Sequence, residues 1–385
     1  MGAVGVEEGF ERILGTQVAF WETKVNPIEI AIPEPGFTET LKANIGYTFI
    51  TKDGPWLQPG TWCYDKSWIR DGGIAAVALM RLGFFKEARA FIDLYTTYQL
   101  PTGEIPCVID NKAKNPFWEN ISEYDSQGQY IYAVLQYYEF TRDLAFLQGK
   151  LTNVVKALRF AEELRSRRTT AEYRDDPDKK LMYGLISKSY ANHNYYDNLW
   201  TLKAWNDGMS IARILGRDDL VEWMGGQYIA LRDSVYASMT GAMKKHGIDY
   251  IPEYPEGTHF WASSIAAGVS HCGELANMPQ PALGRTMDKY YEEFQSWQKP
   301  GAVYRFTPEE MPIAETFLYM GHKDRAIKFL RFMLAHRKPI GWKQWPEVVN
   351  SDERRPTIFG DMPHTWVSAQ YISALMSLFL YEKRD

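Results

Sequence analysis

Four stretches of the chain repeat one plan: an apolar helix, a tight turn, then a second helix with one wet face. Ile74 to Leu82 turns at Gly83 into Phe84 to Tyr98, and Tyr130 to Phe140 passes through Thr141-Arg142-Asp143 into Leu144 to about Arg165. Leu199 to Leu215 turns at Gly216-Arg217-Asp218 into Asp219 to about Met239. Ile313 to Met320 turns at Gly321-His322-Lys323-Asp324 into a helix ending at His336. Glycine accepts the left-handed conformation that closes one helix, and an Asp soon after it can cap the next. The second members are amphipathic, with Ala326, Phe329, Leu330, Met333 and Leu334 on one face. The first members are apolar over most of their circumference, as buried helices are. Buried helices alternating with amphipathic ones, at a spacing of roughly 40 to 60 residues, predict an all-α protein built as an (α/α)6 toroid: six inner helices ringed by six outer ones. An open helical solenoid is the competing arrangement. Short strands are expected only at Val108 to Asp110 and Ala302 to Phe306. Residues 1–385 read as a single barrel domain, with 1–32 as an N-terminal extension.

In such a toroid the N-terminal ends of the inner helices converge on one face, so the loops before them should carry function. Polar and aromatic residues cluster there. The first loop, Gly60 to Gly73, holds Tyr64, Trp68, Arg70 and Asp71; an Arg beside a carboxylate can donate to and accept from neighbouring sugar hydroxyls, although Asp71 could also be a helix cap. The second, Trp118 to Gln129, carries Glu119, Glu123 and Asp125, which a solvated loop would also explain. The third runs from Tyr183 through Ser187-Lys188 to His193, Tyr195, Asp197 and Trp200, with Asp197 where the next inner helix opens. The fourth joins Trp345-Pro346-Glu347 to His364-Thr365-Trp366. A carboxylate beside a packed tryptophan has its pKa raised by desolvation. Asp249 to Trp261 is expected on the cleft rim, and Arg165 to Lys180 as a solvated excursion.

Composition sharpens this picture at one point. Aromatic residues are 15% of the chain, with 13 Trp and 24 Tyr. Rings with polar handles suit half-buried walls, and sugar rings have apolar faces edged by hydroxyls; a core filled with large rings would look the same. Hydrophobic residues at 45% and charged residues at 24% fit a soluble globular chain. The net charge of −5, from 43 basic and 48 acidic residues, argues against a nucleic-acid groove or a polybasic membrane surface. Cys63, Cys107 and Cys272 lack metal-site spacing and read as reduced thiols, so no metal and no cofactor is expected. With neither a membrane-length apolar run nor a signal-peptide start, the default location is the cytoplasm. The composition does not speak to oligomeric state.

At these loops the sequence resembles the α/α-barrel glycoside hydrolases: glucoamylases, glycogen-debranching-type glucosidases, trehalases and processing α-glucosidase I. Ser67-Trp68-Ile69-Arg70-Asp71-Gly72 looks like their Trp-x-Arg-Asp signature, whose Arg and Asp hold hydroxyls of the first-subsite sugar. Ser122-Glu123-Tyr124-Asp125-Ser126-Gln127-Gly128 is similar to the loop before their second inner helix, and Trp345-Pro346-Glu347 to the segment bearing the general base. The order of these motifs holds from roughly Pro33 to Tyr381. The resemblance implies an inverting hydrolase acting on a short α-glucoside-like saccharide. One carboxylic acid protonates the leaving oxygen while a carboxylate activates water on the opposite face, with about 6.5–9.5 Å between them. Glu347 matches the base. Tyr64, Trp68, Arg70, Asp71, Glu123, Asp125, Trp200, Trp345 and His364 would bind substrate, with Trp118 and Tyr195 as further wall candidates. The acid departs from the pattern: Gly184-Leu185-Ile186 runs into Ser187-Lys188 where glucoamylase-like chains carry a Glu. Asp197, followed by Asn198 as in trehalase-like members, is one candidate; Glu123 or Asp125 is another, and a chain lacking a conventional acid is the third.

Two other classes compete. A carbohydrate-binding relative without the acid would bind sugar and release none. An α/α-barrel epimerase or isomerase would move protons through histidines, for which His193, His259, His271 and His364 are available.

Overall fold

The computed structural model describes residues 3–116, 123–186, 188, 192–352 and 361–381. In chain order the helices are α1 (Ala3–Val25), α2 (Pro35–Thr51), α3 (Ile69–Arg81), α4 (Phe85–Thr97), α5 (Ser126–Thr141), α6 (Leu144–Ser166) and the short α7 (Ala171–Asp175). They continue as α8 (Tyr195–Ile214), α9 (Asp218–His246), α10 (Ala262–Ser270), α11 (Ala282–Trp297), α12 (Met311–Tyr319), α13 (Lys323–Ala335) and α14 (Thr365–Ser377).

Six of them close a ring. Helix α3 packs on α5, α5 on α8, α8 on α10, α10 on α12, α12 on α14, and α14 returns to α3. The others back this ring: α2 lies on α14, α4 on α3, α6 against α5 and α8, α9 on α8, α11 on α10 and α13 on α12. Among the described residues this is a closed toroid of six inner and six outer helices, and the open solenoid is excluded by the α14–α3 contact. Burial follows the same division. Twelve of the 13 residues of α14 are buried, against four of the 13 in α4, so α14 needs apolar positions all round and α4 only a stripe. Inner helices pass so closely that a Cβ on Gly128 in α5 would lie 2.3 Å from the carbonyl oxygen of Trp200 in α8. Helix α1 stands outside the ring against α2.

The tight turns follow the sequence reading with one difference. Gly83, Gly216 and Gly321 are left-handed, at φ 84°, 66° and 86°. The fourth turn uses Arg142 at φ 58°, a residue that must bear the Cβ strain glycine avoids. Of the predicted caps only Asp143 acts, accepting from the Phe146 amide at 2.9 Å. Asp218 and Asp324 lie within the first turns of α9 and α13, where a negative charge meets the helix dipole instead.

Helix starts come earlier than the apolar periodicity suggests, α3 at Ile69 and α8 at Tyr195, because polar first-turn residues do not break a helix. Arg70, Asp71 and Asp197 are therefore inside helices. The pair α10–α11 and the helices α1 and α2 were not anticipated. Short strands line the end where inner helices begin: β1 (Ser67–Trp68), β2 (Val108–Asp110) and β3 (Asn115–Pro116) form one antiparallel sheet, and β4 (Arg305–Phe306) pairs with β5 (Val349–Asn350). The strand expected over 302–306 shrinks to its last two residues. The 165–180 excursion is as expected, with no buried residue in α7. No described helix is long and apolar enough to cross a membrane.

Candidate active site

Glu347 is presented by a buried anchor. Gln344 donates through Nε2 to Ser368 Oγ at 2.8 Å, and Trp345, fully enclosed, donates through Nε1 to the Met333 carbonyl at 2.8 Å. With those two residues tied to α13 and α14, the chain turns outward at Pro346 before entering β5. Tyr64 then donates its phenol hydrogen to Glu347 Oε2 at 2.9 Å. The Tyr64 ring meets Trp68 and His364 edge-on, with centroids 5.2 and 5.5 Å away. Its backbone is held from across the mouth: the Asp361 carboxylate accepts from the amides of Trp62, Cys63 and Tyr64 at 2.6, 2.9 and 3.1 Å. Burial would raise the Asp361 carboxyl, but those three amides hold it below its usual range. Glu347 itself is raised by burial, with the Tyr64 hydrogen bond opposing.

Arg70, in the first turn of α3, grips Asp125 through Nε at 2.8 Å and Nη2 at 3.0 Å. Glu123 lies 3.4 Å from the guanidinium, and the Tyr196 ring sits under it at 5.0 Å. Asp125 is buried with both oxygens engaged by Arg70, so it orients the guanidinium rather than facing the cleft. Asp71 lies inside the first turn of α3, whose N-cap position is Trp68. Burial pushes its carboxyl well above the usual range; Arg70 pulls it down, while Glu123 and Glu347 push it further up. The first and fourth loops thus meet at one mouth, where Tyr64 touches Trp68 and Glu347 and the Asp71 carboxyl lies between the charges of Arg70 and Glu347.

Other candidates are placed differently. Trp200 and Trp345 are fully buried and expose no ring face, because inner-helix and anchor positions are the ones a large ring can fill. Tyr195 is equally enclosed, its hydroxyl 2.9 Å from Ser238 Oγ. His364 is buried at the start of α14; burial pushes its pKa down to about 4, and neither ring nitrogen has a hydrogen-bond partner. Asp197 lies in the first turn of α8 at 4% exposure. Trp118, Glu119 and Ser187 fall outside the described residues. The histidines do not pair. His193 Nδ1 sits 2.5 Å from Glu256, His259 Nδ1 2.6 Å from Glu253, and His271 is kept neutral by burial, its pKa pushed down to about 3. The loop from Asp249 to Trp261 clips onto α8, since the Tyr195 amide donates to the Glu253 carbonyl at 3.0 Å.

One carboxyl group escaped the sequence reading. Thr307-Pro308-Glu309-Glu310 opens α12 in a pattern that a capping box explains: the Thr307 amide donates to Glu310 Oε1 at 3.3 Å, and the Glu309 amide to Thr307 Oγ1 at 3.2 Å. Glu310 is spent on that box and on Tyr290. Glu309 is not. Burial raises its pKa to about 7; Arg70 opposes this, while Glu347, Glu253 and Glu123 add to it. The charges it senses come from the first turn of α3 and from the segments before α5, before α10 and before β5, which places it among them.

Among the described residues no cluster of His, Cys, Asp and Glu could hold a metal ion. A cavity of about 510 Å³ opens at the other end of the ring, but its Arg81 and Lys203 already face Glu315 and Asp207.

The fold has solved counterparts. A glycosidase superposes with a TM-score of 0.66 at 13% identity, covering 89% of this chain and 97% of the other. A GH78 family rhamnosidase of Bacillus gives 0.65 at 12% identity over 89% of this chain and 35% of that one. A rhamnosidase from Klebsiella oxytoca with rhamnose bound gives 0.64 at 10% identity, over 89% and 64%. No protein-family model matches the chain, and no curated protein matches it in sequence. The protein therefore has the α/α-barrel fold of these glycosidases, a likeness carried by structure.

Proposed function

We propose that the chain is an inverting glycoside hydrolase acting on a short α-glucoside-like saccharide, with Glu347 as general base. The observation that carries this reading is the Tyr64–Glu347 hydrogen bond beside Arg70 and Asp71, which brings loops nearly three hundred residues apart to one polar, ring-walled mouth. Arg70 has its Nε and Nη2 committed to Asp125 and one Nη1 hydrogen directed at Glu123 Oε1, 3.4 Å away, so the second Nη1 hydrogen is the one to donate to a sugar hydroxyl. Asp71 accepts from or shares a proton with a neighbouring hydroxyl, and Trp68 offers a half-buried ring to the sugar face. Ionised Glu347 takes a proton from water as that water attacks the anomeric carbon. Two carboxyl groups compete to protonate the departing oxygen: Asp197, read from the sequence, and Glu309. His193 and His259 are each engaged by a carboxylate rather than by a second histidine, which speaks against an epimerase.

Two measurements on one set of samples test the reading. The wild type should release sugar from at least one member of a panel of α-glycosides; binding by calorimetry with no release would favour a carbohydrate-binding protein instead. In Tyr64→Phe, Glu347 loses the hydrogen bond that stabilises its charged form, so its pKa rises. The base works only when ionised, so the acid limb of the kcat/KM profile should move to higher pH. An acid limb that stays in place, or moves to lower pH, would remove Glu347 from the role.

A further inference from the structure

We propose that Glu309 is the group that protonates the leaving oxygen, a role that rests on the hydrolase reading above. The β4–β5 ladder supplies the first argument. Phe306 pairs with Val349, so the chain leaving β4 toward Glu309 and the chain entering β5 from Glu347 stand side by side at the same end of the ladder. Packing supplies the second. The turn Pro308–Glu310 touches α10 and α14 as well as α12, which seats it at the mouth of the ring rather than on its rim. Division of labour supplies the third. Glu310 is occupied by Thr307 and Tyr290, leaving Glu309 as the carboxyl of the pair that faces Arg70, Glu347 and Tyr196. Its protonation fits: with a pKa of about 7 it carries a proton on a large fraction of molecules at neutral pH, whereas an ordinary surface Glu would carry almost none.

The step balances without a co-reactant. Glu309 gives its proton to the glycosidic oxygen as the bond from that oxygen to the anomeric carbon breaks, and the leaving group departs as an alcohol. The water oxygen bonds to the anomeric carbon and passes one proton to Glu347. Exchange with solvent then returns Glu347 to its ionised form and Glu309 to its acid form. Glu347, Glu253 from the 249–261 loop and Glu123 keep the Glu309 proton in place, Arg70 from α3 opposes them, and Asp71 lies beside Arg70, Glu123 and Glu347.

Leaving-group dependence tests the assignment. Glu309→Gln should lose about 10²- to 10⁴-fold in kcat/KM on methyl α-glycosides, whose alkoxide needs the proton. The same variant should stay within about tenfold of wild type on the matching glycosyl fluorides, because fluoride leaves with little protonic help. The basic limb of the wild-type profile, near pH 7, should vanish with it. Equal losses on both substrate classes, whether from misfolding or from a different role, would overturn the assignment, as would no loss on either. So would a leaving-group signature that appears in Asp197→Asn and not in Glu309→Gln. A wild type inert toward every glycoside and fluoride would overturn the hydrolase reading itself, and the donor role with it.

Discussion

Glu347→Gln is expected to lower kcat by about 10²- to 10⁴-fold on any glycoside the wild type turns over, with thermal unfolding nearly unchanged. The two halves of that result have separate causes. Activity falls because the amide of Gln cannot take up the proton of the attacking water as a carboxylate does. Stability survives because Gln keeps the size of Glu and still offers Tyr64 an acceptor oxygen at the position now 2.9 Å away. The substitution also removes a charge that pushes up the pKa of both Asp71 and Glu309. Turnover near that of the wild type would dismiss Glu347 as the base.

The second large effect is on folding. Arg70→Met should cost about 3 to 5 kcal/mol of stability, read from the urea midpoint at constant slope. Asp125 is enclosed, with both oxygens satisfied by the Arg70 fork, and losing the guanidinium strands a buried carboxylate. Adding Asp125→Asn to the Met variant removes that stranded charge and should restore part of the loss, so the two substitutions together cost less than their sum. Strict additivity would mean that the pair contributes nothing specific.

The contrast between these two residues also explains how far the sequence could be read. The ring architecture was legible because it rests on burial periodicity. The all-apolar stretch of inner α3 and the stripe of outer α13 are opposite solutions to facing one or two neighbours, and each is visible over a few turns. The helices that went unanticipated lack that contrast. Inner α10, Ala262–Ser270, is built mostly of Ala, Ser and Gly, with only Ile265 and Val269 as large apolar side chains to mark it as buried. At the site, Arg70, Asp71 and Glu347 stood out because their neighbours in the chain are aromatic and glycine-rich. Glu309 did not, since Thr307 and Glu310 around it form a capping box that accounts for every polar residue locally. What marks it out is long-range: Arg70 is distant in sequence, and only ring closure brings the two together. The tryptophans failed for the converse reason. Composition says that Trp likes half-buried walls, but whether a given ring lines a cleft or fills a core depends on what lies behind it. Trp200 is hemmed in by Tyr132, Tyr196 and His271.

The mouth is also electrostatically costly. Asp71, Glu123 and Glu309 share the field of Arg70, Glu347 and Glu253 add their charges nearby, and burial raises the pKa values of Asp71, Glu253, Glu309 and Glu347. Such crowding spreads carboxyl pKa values apart, which is what a site needs if it is to hold one acid and one base at the same pH.

A crystal of the Glu347→Gln variant soaked with glucose would show directly whether the mouth is the sugar site. The expected density is a sugar ring at the mouth, its hydroxyls bonded to Arg70 Nη1 and Asp71, with residue 347 on one side of the anomeric carbon and Glu309 on the other. Glucose bound only at the opposite end of the barrel, or a mouth that stays empty while sugar binds elsewhere, would contradict it.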